Sequence, residues 1–277
     1  LVQDDRRASG GDLTLIKARK IRSGAASGEA LVCSCPLSFL GGLDPATGEI
    51  LDDECESKGL SVSGKVLCFP FGKGSTVGSY AMYQLKLNGK APAAIINSSA
   101  EPIIATGAII ASIPMVDGID VALLRTGDQV RVDSDKGEVE LPNVKEKHVV
   151  TSIVRNRGKI LLLRRSAKVG SYRGQWAGVS GYIERGEDDE TSAKRELAEE
   201  IGNGGVKLTR RLDPQRFRDS DVVWCVHPFL FDVTSRDVCI DWEHDSYEWV
   251  SPEDVGRYPT VPGLQSIVCG LLEKKRR

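Results

Sequence analysis

Apolar positions along this chain fall mostly into short runs separated by turn residues, with a few stretches of helical period. In the first half the runs predict strands at Ala30–Ser34, Val66–Phe69, Ala93–Ile96, Ile109–Ser112, Val121–Leu124 and Gln129–Val132. Each is bounded by Gly, Pro, Asn or Asp. A helix is predicted from about Val77 to Leu87, and "GGLDPATGEI" (41–50) reads as a turn-rich loop. The second half alternates differently. "HVVTSIVRN" and "KILLLRR" flank an Arg-Gly pair and predict a hairpin. "WAGVSGYIE" is a further strand region, and "VVWCVHPFLFDV" and "SYEWVSPEDV" predict two more strands. From Asp188 to Ile201, apolar Ala193, Leu197 and Ile201 recur every four residues and predict a helix. A final helix is expected from about Gly263 to Leu272.

"LPNVKEK" separates the two halves with a proline and a charge cluster. The expected organisation is a flexible segment at 1–13, a first domain at 14–141, a linker at 142–147 and a second domain at 148–277. At 277 residues the chain is long enough for two cores. A formal net charge of -2 gives no reason to expect nucleic acid as a partner. The closing "EKKRR" reads as a solvated helix end. No apolar run reaches the roughly 18 residues of a membrane span, and "LVQDDRRASGGD" lacks the apolar core of a signal peptide. Seven cysteines, odd in number and without a CxxC pair, predict reduced, mostly buried thiols of a cytoplasmic protein. With only His148, His227 and His244, a zinc site is not expected.

The strongest chemical signal is "GYIERGEDDETSAKRELAEEIG", Gly181 to Gly202. Glu196, Glu199 and Glu200 stand at i, i+3 and i+4, on one side of the predicted helix. Each like-charged pair so placed costs roughly 0.2–0.5 kcal/mol, which a hard divalent cation would relieve. A solvated acidic face is the plainer reading of three glutamates alone. The surrounding pattern is more specific: Gly181, Glu187, Arg195, Glu196, Leu197, Glu199, Glu200 and Gly202 fit the Nudix box, with Asn203 in place of its final apolar residue. The second half therefore resembles a Nudix hydrolase, a mixed-sheet α/β/α sandwich. The resemblance implies Mg²⁺ or Mn²⁺ held by Glu196, Glu199 and Glu200, with Glu187 and Arg195 as a structural ion pair. Glu199 is the first choice of general base, with Glu243 and Glu248 behind it. Arg164, Arg165 and Arg173 are phosphate-binding candidates, and Trp176 and Trp224 read as core.

"FPFGKGSTVGSY" (69–80) offers three glycines, a lysine and two hydroxyls before a predicted helix. It lacks the spacing of a Walker phosphate loop, because Leu67 stands where the first glycine belongs and Gly74 follows Lys73. Ser75 is either a cap of the following helix or a catalytic serine whose alkoxide the helix N-terminus would stabilise. "GGLDPATGEILD", "GKVLCFPFGKGSTVGSYAMYQL" and "APAAIINSSAEPIIATGAIIASIPMVDGID" resemble, in order, the small swivelling subunit of the aconitase X family. That resemblance implies an aconitase-type β/α swivel domain in which Ser75 accepts a proton during dehydration of a hydroxy acid, plausibly mevalonate 5-phosphate. It also implies a separate large subunit carrying a 4Fe–4S cluster, for which this chain shows no ligand pattern. Lys73 and Thr76 are expected at the substrate phosphate, with Lys73 otherwise solvated. Ser98, Ser99 and Glu101 either line the same cleft or form a capped turn.

The fold class expected is thus α/β and α+β in two domains. The function expected is a dehydratase small subunit fused to a divalent-metal-dependent hydrolase of a nucleoside diphosphate derivative or an isoprenoid diphosphate. A Nudix half that senses a diphosphate without turning it over is the alternative.

Overall fold

The computed structural model describes residues 13–202, 205–240 and 242–273. The segment expected to be flexible lies, but for Leu13, outside the described residues, as do Asn203 and all of "EKKRR" but Glu273. The described residues divide into two compact units, 13–145 with Ser220–Val223, and Glu146–Asp219 with those from Trp224 onward. No described helix is long and apolar enough to cross a membrane.

The first unit is built on strands β1 (Leu13–Lys17), β2 (Arg19–Arg22), β3 (Ala25–Val32), β4 (Val66–Phe69), β5 (Ala94–Asn97), β6 (Met115–Asp117) and β7 (Gln129–Asp133), with the first residues of β8 (Glu138–Asn156). Parallel pairs join β3–β4, β4–β5 and β5–β6. Antiparallel β2 and β7 flank them, so the sheet is mixed. Every side chain of β4 and β5 is buried, as expected for parallel strands covered on both faces. Leu67, Phe69 and Ile95 pack with Met82 and Leu85 of α1 (Gly78–Leu87) and Ile104 of α2 (Pro102–Ile110). Val66, Cys68 and Ile96 face Val130, Val132 and Val139 on the other side.

Two expectations are corrected here. Residues 109–112, expected as a strand, close helix α2 and the turn after it. Glu101 caps that helix by accepting from the N–H groups of Ile103 and Ile104, and Pro102 begins it. The apolar run is a helix that buries Ile104, Gly107 and Ala108 and leaves Ile109 and Ile110 exposed, and periodicity alone does not separate so short an apolar run from a strand. Residues 121–124 form a short 3₁₀ turn at Val121–Leu123, whose Asp120 accepts from Ala122 N. The cysteines also depart in part from the expectation. Cys33 and Cys55 form a disulfide, while Cys35, Cys68, Cys225, Cys239 and Cys269 are free, the last two exposed.

In the second unit, β8 and β9 (Lys159–Arg165) form the expected hairpin across Arg157-Gly158, both at positive φ. Strands β10 (Trp176–Ala177) and β15 (His244–Val250) pair antiparallel with β9, and β11 (Val179–Tyr182) with β8. Strands β12 (Lys207–Arg211) and β13 (Gln215–Asp219) pair with β14 (Val222–Asp232). Along β9 the two faces separate cleanly. Ile160 and Leu162 pack toward Leu264, Ile267 and Leu271 of α4 (Leu264–Leu272). Leu161 and Leu163 pack toward Ala193 and Leu197 of α3 (Asp189–Ile201). The sheet therefore lies between two helices. Residues 142–147, expected as a linker, are strand within β8, and the division between units falls between Lys145 and Glu146.

Candidate functional site

The carboxylate helix and the loop before it are locked together by Arg195. Asp188 caps α3, accepting from Thr191 N at 3.0 Å and from its hydroxyl at 2.7 Å. Two turns on from that cap, Arg195 reaches back to Glu187 with two bonds, Nε to Oε1 at 3.2 Å and Nη2 to Oε2 at 3.0 Å. Its Nη2 also donates to Tyr182 O at 3.2 Å, tying helix to β11. This paired fork holds the Glu187 carboxyl below the ordinary carboxylate range. The guanidinium also donates from Nη1 to Glu196 Oε1 at 2.7 Å and lies 3.7 Å from Glu199 Oε1. Burial raises the Glu196 carboxyl above its ordinary value, with Arg195 opposing.

Gly181 explains its place in the pattern. A Cβ there would lie 2.0 Å from the Glu196 carboxyl carbon, so only glycine lets β11 pass against that carboxylate. The three glutamates do not share one environment. Glu196 and Glu199 line a cavity of about 1100 Å³. Glu200 is 5% exposed and faces His244 of β15, with Oε2 3.9 Å from Nδ1.

Arg165, Lys168 and Arg173 bring positive charge to the same cavity, and Glu184 and Glu243 bring further carboxylates. Arg173 Nε donates to Val169 O at 2.8 Å, and Arg165 Nε to Ser171 O at 3.0 Å. Arg164 is a correction. Successive strand residues point to opposite faces, so Arg165 reaches the cavity and Arg164 does not. Glu248 is another, since it accepts from the Tyr258 hydroxyl at 2.7 Å and does not line the cavity. Trp176 is core as expected, edge-on to Tyr258. Trp224, by contrast, walls the cavity with Tyr172 and Tyr182, at ring separations of 6.1 and 6.2 Å. Lys147 Nζ sits 5.6 Å from the Tyr182 ring and 5.5 Å from the Trp224 ring. The alternation of β8 and β14 was the signal for these residues: Lys147, Val149 and Thr151 on one strand, Trp224 and Val226 on the other, all line the cavity.

In the first unit, "FPFGKGST" and "NSSAEP" leave the carboxyl ends of the adjacent parallel strands β4 and β5 and meet. Pro70 O accepts from the N–H groups of Ser98 and Ser99, both at 3.0 Å. Asn97 Nδ2 donates to Phe69 O at 2.7 Å, while its buried Oδ1 has no hydrogen-bond partner. Gly72 lies against Glu101 and Ile104 so closely that a Cβ would come within 2.5 Å of the Glu101 carboxylate. Glu101 is therefore the capped-turn residue, one of the two readings its sequence left open. Ser75 is exposed; its Oγ accepts from Val77 N at 3.3 Å. It is not the residue capping α1, because that helix starts at Gly78 behind Val77 without a side-chain cap. Thr76 O accepts from the Ser79 hydroxyl at 2.8 Å. Lys73 Nζ is held by Glu54 at 2.7 Å and Asp52 at 3.2 Å. Around this loop Leu40, Phe71, Val77 and Tyr80 are exposed, Tyr80 to 66%.

Comparison with known proteins follows the same division. Residues 15–141 match the family described as aconitase X swivel domain, and residues 145–270 the family described as NUDIX domain. The phosphomevalonate dehydratase small subunit of Thermococcus kodakarensis is 61% identical over 126 residues, 46% of this chain and 95% of that protein. That of Methanosarcina acetivorans is 52% identical over 129 residues, 46% of this chain and 90% of the relative. Among solved structures, aconitase X of Thermococcus kodakaraensis in its holo-form is similar at 60% identity. It covers 46% of this chain and 98% of its own, with a TM-score of 0.46. A MutT protein from Methanosarcina mazei Go1 is similar at 26% identity over 45% of this chain and 91% of its own, with a TM-score of 0.40. With its first half this similar to the curated small subunits over nearly their whole length, the chain belongs to the aconitase X swivel family and carries a NUDIX domain as its second half.

Proposed function

We propose that the chain carries two separable activities. The second half hydrolyses a diphosphate-linked substrate with Mg²⁺ or Mn²⁺, and the first half completes a dehydratase only with a second subunit. The observation that carries the hydrolase reading is the cavity that joins Glu196 and Glu199 to Arg165, Lys168 and Arg173.

Oxygen donors of this kind suit a hard divalent cation, and Gly181 keeps backbone close against the Glu196 carboxylate. Glu196 and Glu199 would hold the ion, which when bound neutralises and orients the diphosphate. Arg165, Lys168 and Arg173 bind the phosphate oxygens. Water attacks one phosphorus, its proton passes to the Glu199 carboxylate, and the bond from phosphorus to the departing group's oxygen breaks. Side-chain exposure of 57% leaves Glu199 open to that water, whereas Glu200, at 7%, supports the helix from behind. The wall of Tyr172, Tyr182 and Trp224 suits a planar base, which favours a nucleoside diphosphate derivative. The test is phosphate release from a panel of nucleoside and isoprenoid diphosphates by the full chain with Mg²⁺ or Mn²⁺. Turnover that vanishes in Glu199→Gln while ligand binding persists is expected. Ligand binding without turnover in the wild type would make the half a sensor instead, and preference for isoprenoid diphosphates would overturn the nucleotide assignment.

In the first half, Ser75 Oγ takes a proton from the hydroxy acid, mevalonate 5-phosphate, as the hydroxyl leaves. The Val77 N–H is aimed at that oxygen and stabilises its charge. A 4Fe–4S cluster would supply the Lewis acid for the leaving hydroxyl. This chain does not fit it: among the described residues no three cysteines converge, and Cys33 and Cys55 are bonded to each other. The cluster is therefore assigned to a separate large subunit, for which the exposed apolar rim at Leu40, Phe71, Val77 and Tyr80 is the docking face. Co-purification with such a subunit and loss of reconstituted dehydration in Ser75→Ala are the expected results. Unchanged dehydration in that variant would overturn the role of Ser75.

A further inference from the structure

On the reverse of the two strands that wall the cavity, a different donor set converges. Lys147 and Val149 of β8 and Trp224 and Val226 of β14 face the cavity. The alternate residues His148, Cys225 and His227 therefore point the other way. Strands β8 and β14 are neighbours, and one ligand atom from each of these three side chains lies within 4.8 Å of the others. His148 Nδ1 is 3.3 Å from His227 Nε2, and Cys225 Sγ is 3.9 Å from the same nitrogen.

We propose that His148, Cys225 and His227 form a Zn²⁺ site, separate from the carboxylate site on α3. The nitrogen–nitrogen distance is the one the metal sets, and the sulfur lies about 0.3 Å beyond its bonded distance from His227 Nε2. Zinc bonds of about 2.0–2.1 Å to nitrogen and about 2.3 Å to sulfur, at tetrahedral angles, set the nitrogens about 3.3 Å apart and sulfur about 3.6 Å from nitrogen. The supporting contact is present as well. His227 Nδ1 lies 3.0 Å from Asp189 Oδ2. A carboxylate there keeps the proton on Nδ1 and turns the Nε2 lone pair toward Cys225 and His148, the usual arrangement behind a metal-bound histidine. Glu146, two residues before His148 on β8, brings Oε1 to 3.8 Å from His148 Nε2 and is itself held by Arg216 at 2.9 Å. Three protein ligands leave a fourth position, and the His148 side chain is 49% exposed, so that position is open to water.

This donor set selects a different ion from the one the glutamates would take. Thiolate and imidazole suit zinc, whereas carboxylates suit Mg²⁺ or Mn²⁺. Asp189 is the first residue of α3 and Glu196 stands seven residues on, about 10 Å along the helix axis. A zinc ion here would tie β8 and β14, through His227 and Asp189, to the start of the helix that carries Glu196 and Glu199. The sequence hid the site because no ligand pair has a familiar zinc spacing. It is built from Cys-x-His on one strand and a single histidine on another.

The test is a cobalt titration of the full chain after chelation, with zinc competition. A thiolate-to-cobalt charge-transfer band is expected, saturating at a single equivalent and displaced by Zn²⁺. Cys225→Ser should abolish the band. His148→Ala, at a half-exposed position that should leave folding intact, should weaken Co²⁺ and Zn²⁺ binding at least about 10-fold. Glu199→Gln should leave band and stoichiometry unchanged. Absence of a thiolate band in the folded wild type would overturn the proposal, leaving a hydrogen-bonded chain of side chains. A band that survives both Cys225→Ser and His148→Ala would overturn it equally, assigning the ion to another cysteine.

Discussion

The loop around Ser75 and the helix around Glu199 share a plan, since each sets glycines before a helix and gathers polar side chains at its start. They differ in what surrounds them. Glu196 and Glu199 open onto a cavity of about 1100 Å³ that the same unit supplies with arginines, a lysine and an aromatic wall. Ser75 lines neither that cavity nor a smaller one of about 440 Å³ in its own unit, and its neighbours are exposed apolar side chains. The Nudix half gathers its candidate groups around one cavity. The swivel half leaves Ser75, its candidate group, on an exposed surface. Motif strength and completeness of a site are thus separate properties, and only the packing around a motif reports the second.

The largest expected effects are crossed ones. Ser75→Ala should reduce reconstituted dehydration by about 10²–10⁴-fold and leave hydrolysis unchanged, and Glu199→Gln should do the reverse, measured as initial rates on one preparation. Loss of both activities in either variant would break the comparison. Gly181→Ala forces a methyl into the Glu196 carboxylate. Hydrolysis should fall about 10–100-fold, and the unfolding free energy by about 1–3 kcal/mol in urea melts.

Glu187→Gln tests the Arg195 lock without touching the cavity carboxylates. Removing charge from this pair should cost about 1.5–3 kcal/mol near neutral pH. The folded state holds the Glu187 carboxyl below its ordinary value of 4.5. Its stabilisation is therefore present above that value and is lost as pH falls through the folded one. Thermal melts of wild type and variant should separate at pH 7 and converge in acid. Trp224→Ala should have the smallest effect, raising KM for a nucleoside diphosphate derivative about 2–10-fold with kcat little changed.

Much of this was legible in the sequence where local rules decide. The α3 helix follows from its four-residue apolar spacing and the β8–β9 hairpin from its Arg-Gly turn, while the Glu187–Arg195 pair was implied by the resemblance to the Nudix box. What was not legible depends on partners distant in sequence. Ile109 and Ile110 are an exception, since the Glu101 cap and Pro102 that start their helix lie only eight residues upstream. Arg165 rather than Arg164 reaches the cavity because pairing fixes which face each strand residue takes. Glu200 turns inward because β15 brings His244 behind α3. Cys33 and Cys55 are bonded, and Cys225 meets two histidines, through contacts that no spacing rule encodes.

The central claim is that one half is sufficient and the other is not. Both activities should be measured on a single preparation of the purified chain, before and after adding the cluster-bearing large subunit. The account predicts metal-dependent diphosphate hydrolysis at full rate beforehand and unchanged afterwards, with dehydration absent beforehand and present afterwards. Dehydration by the chain alone, or hydrolysis that waits for the second subunit, would contradict it.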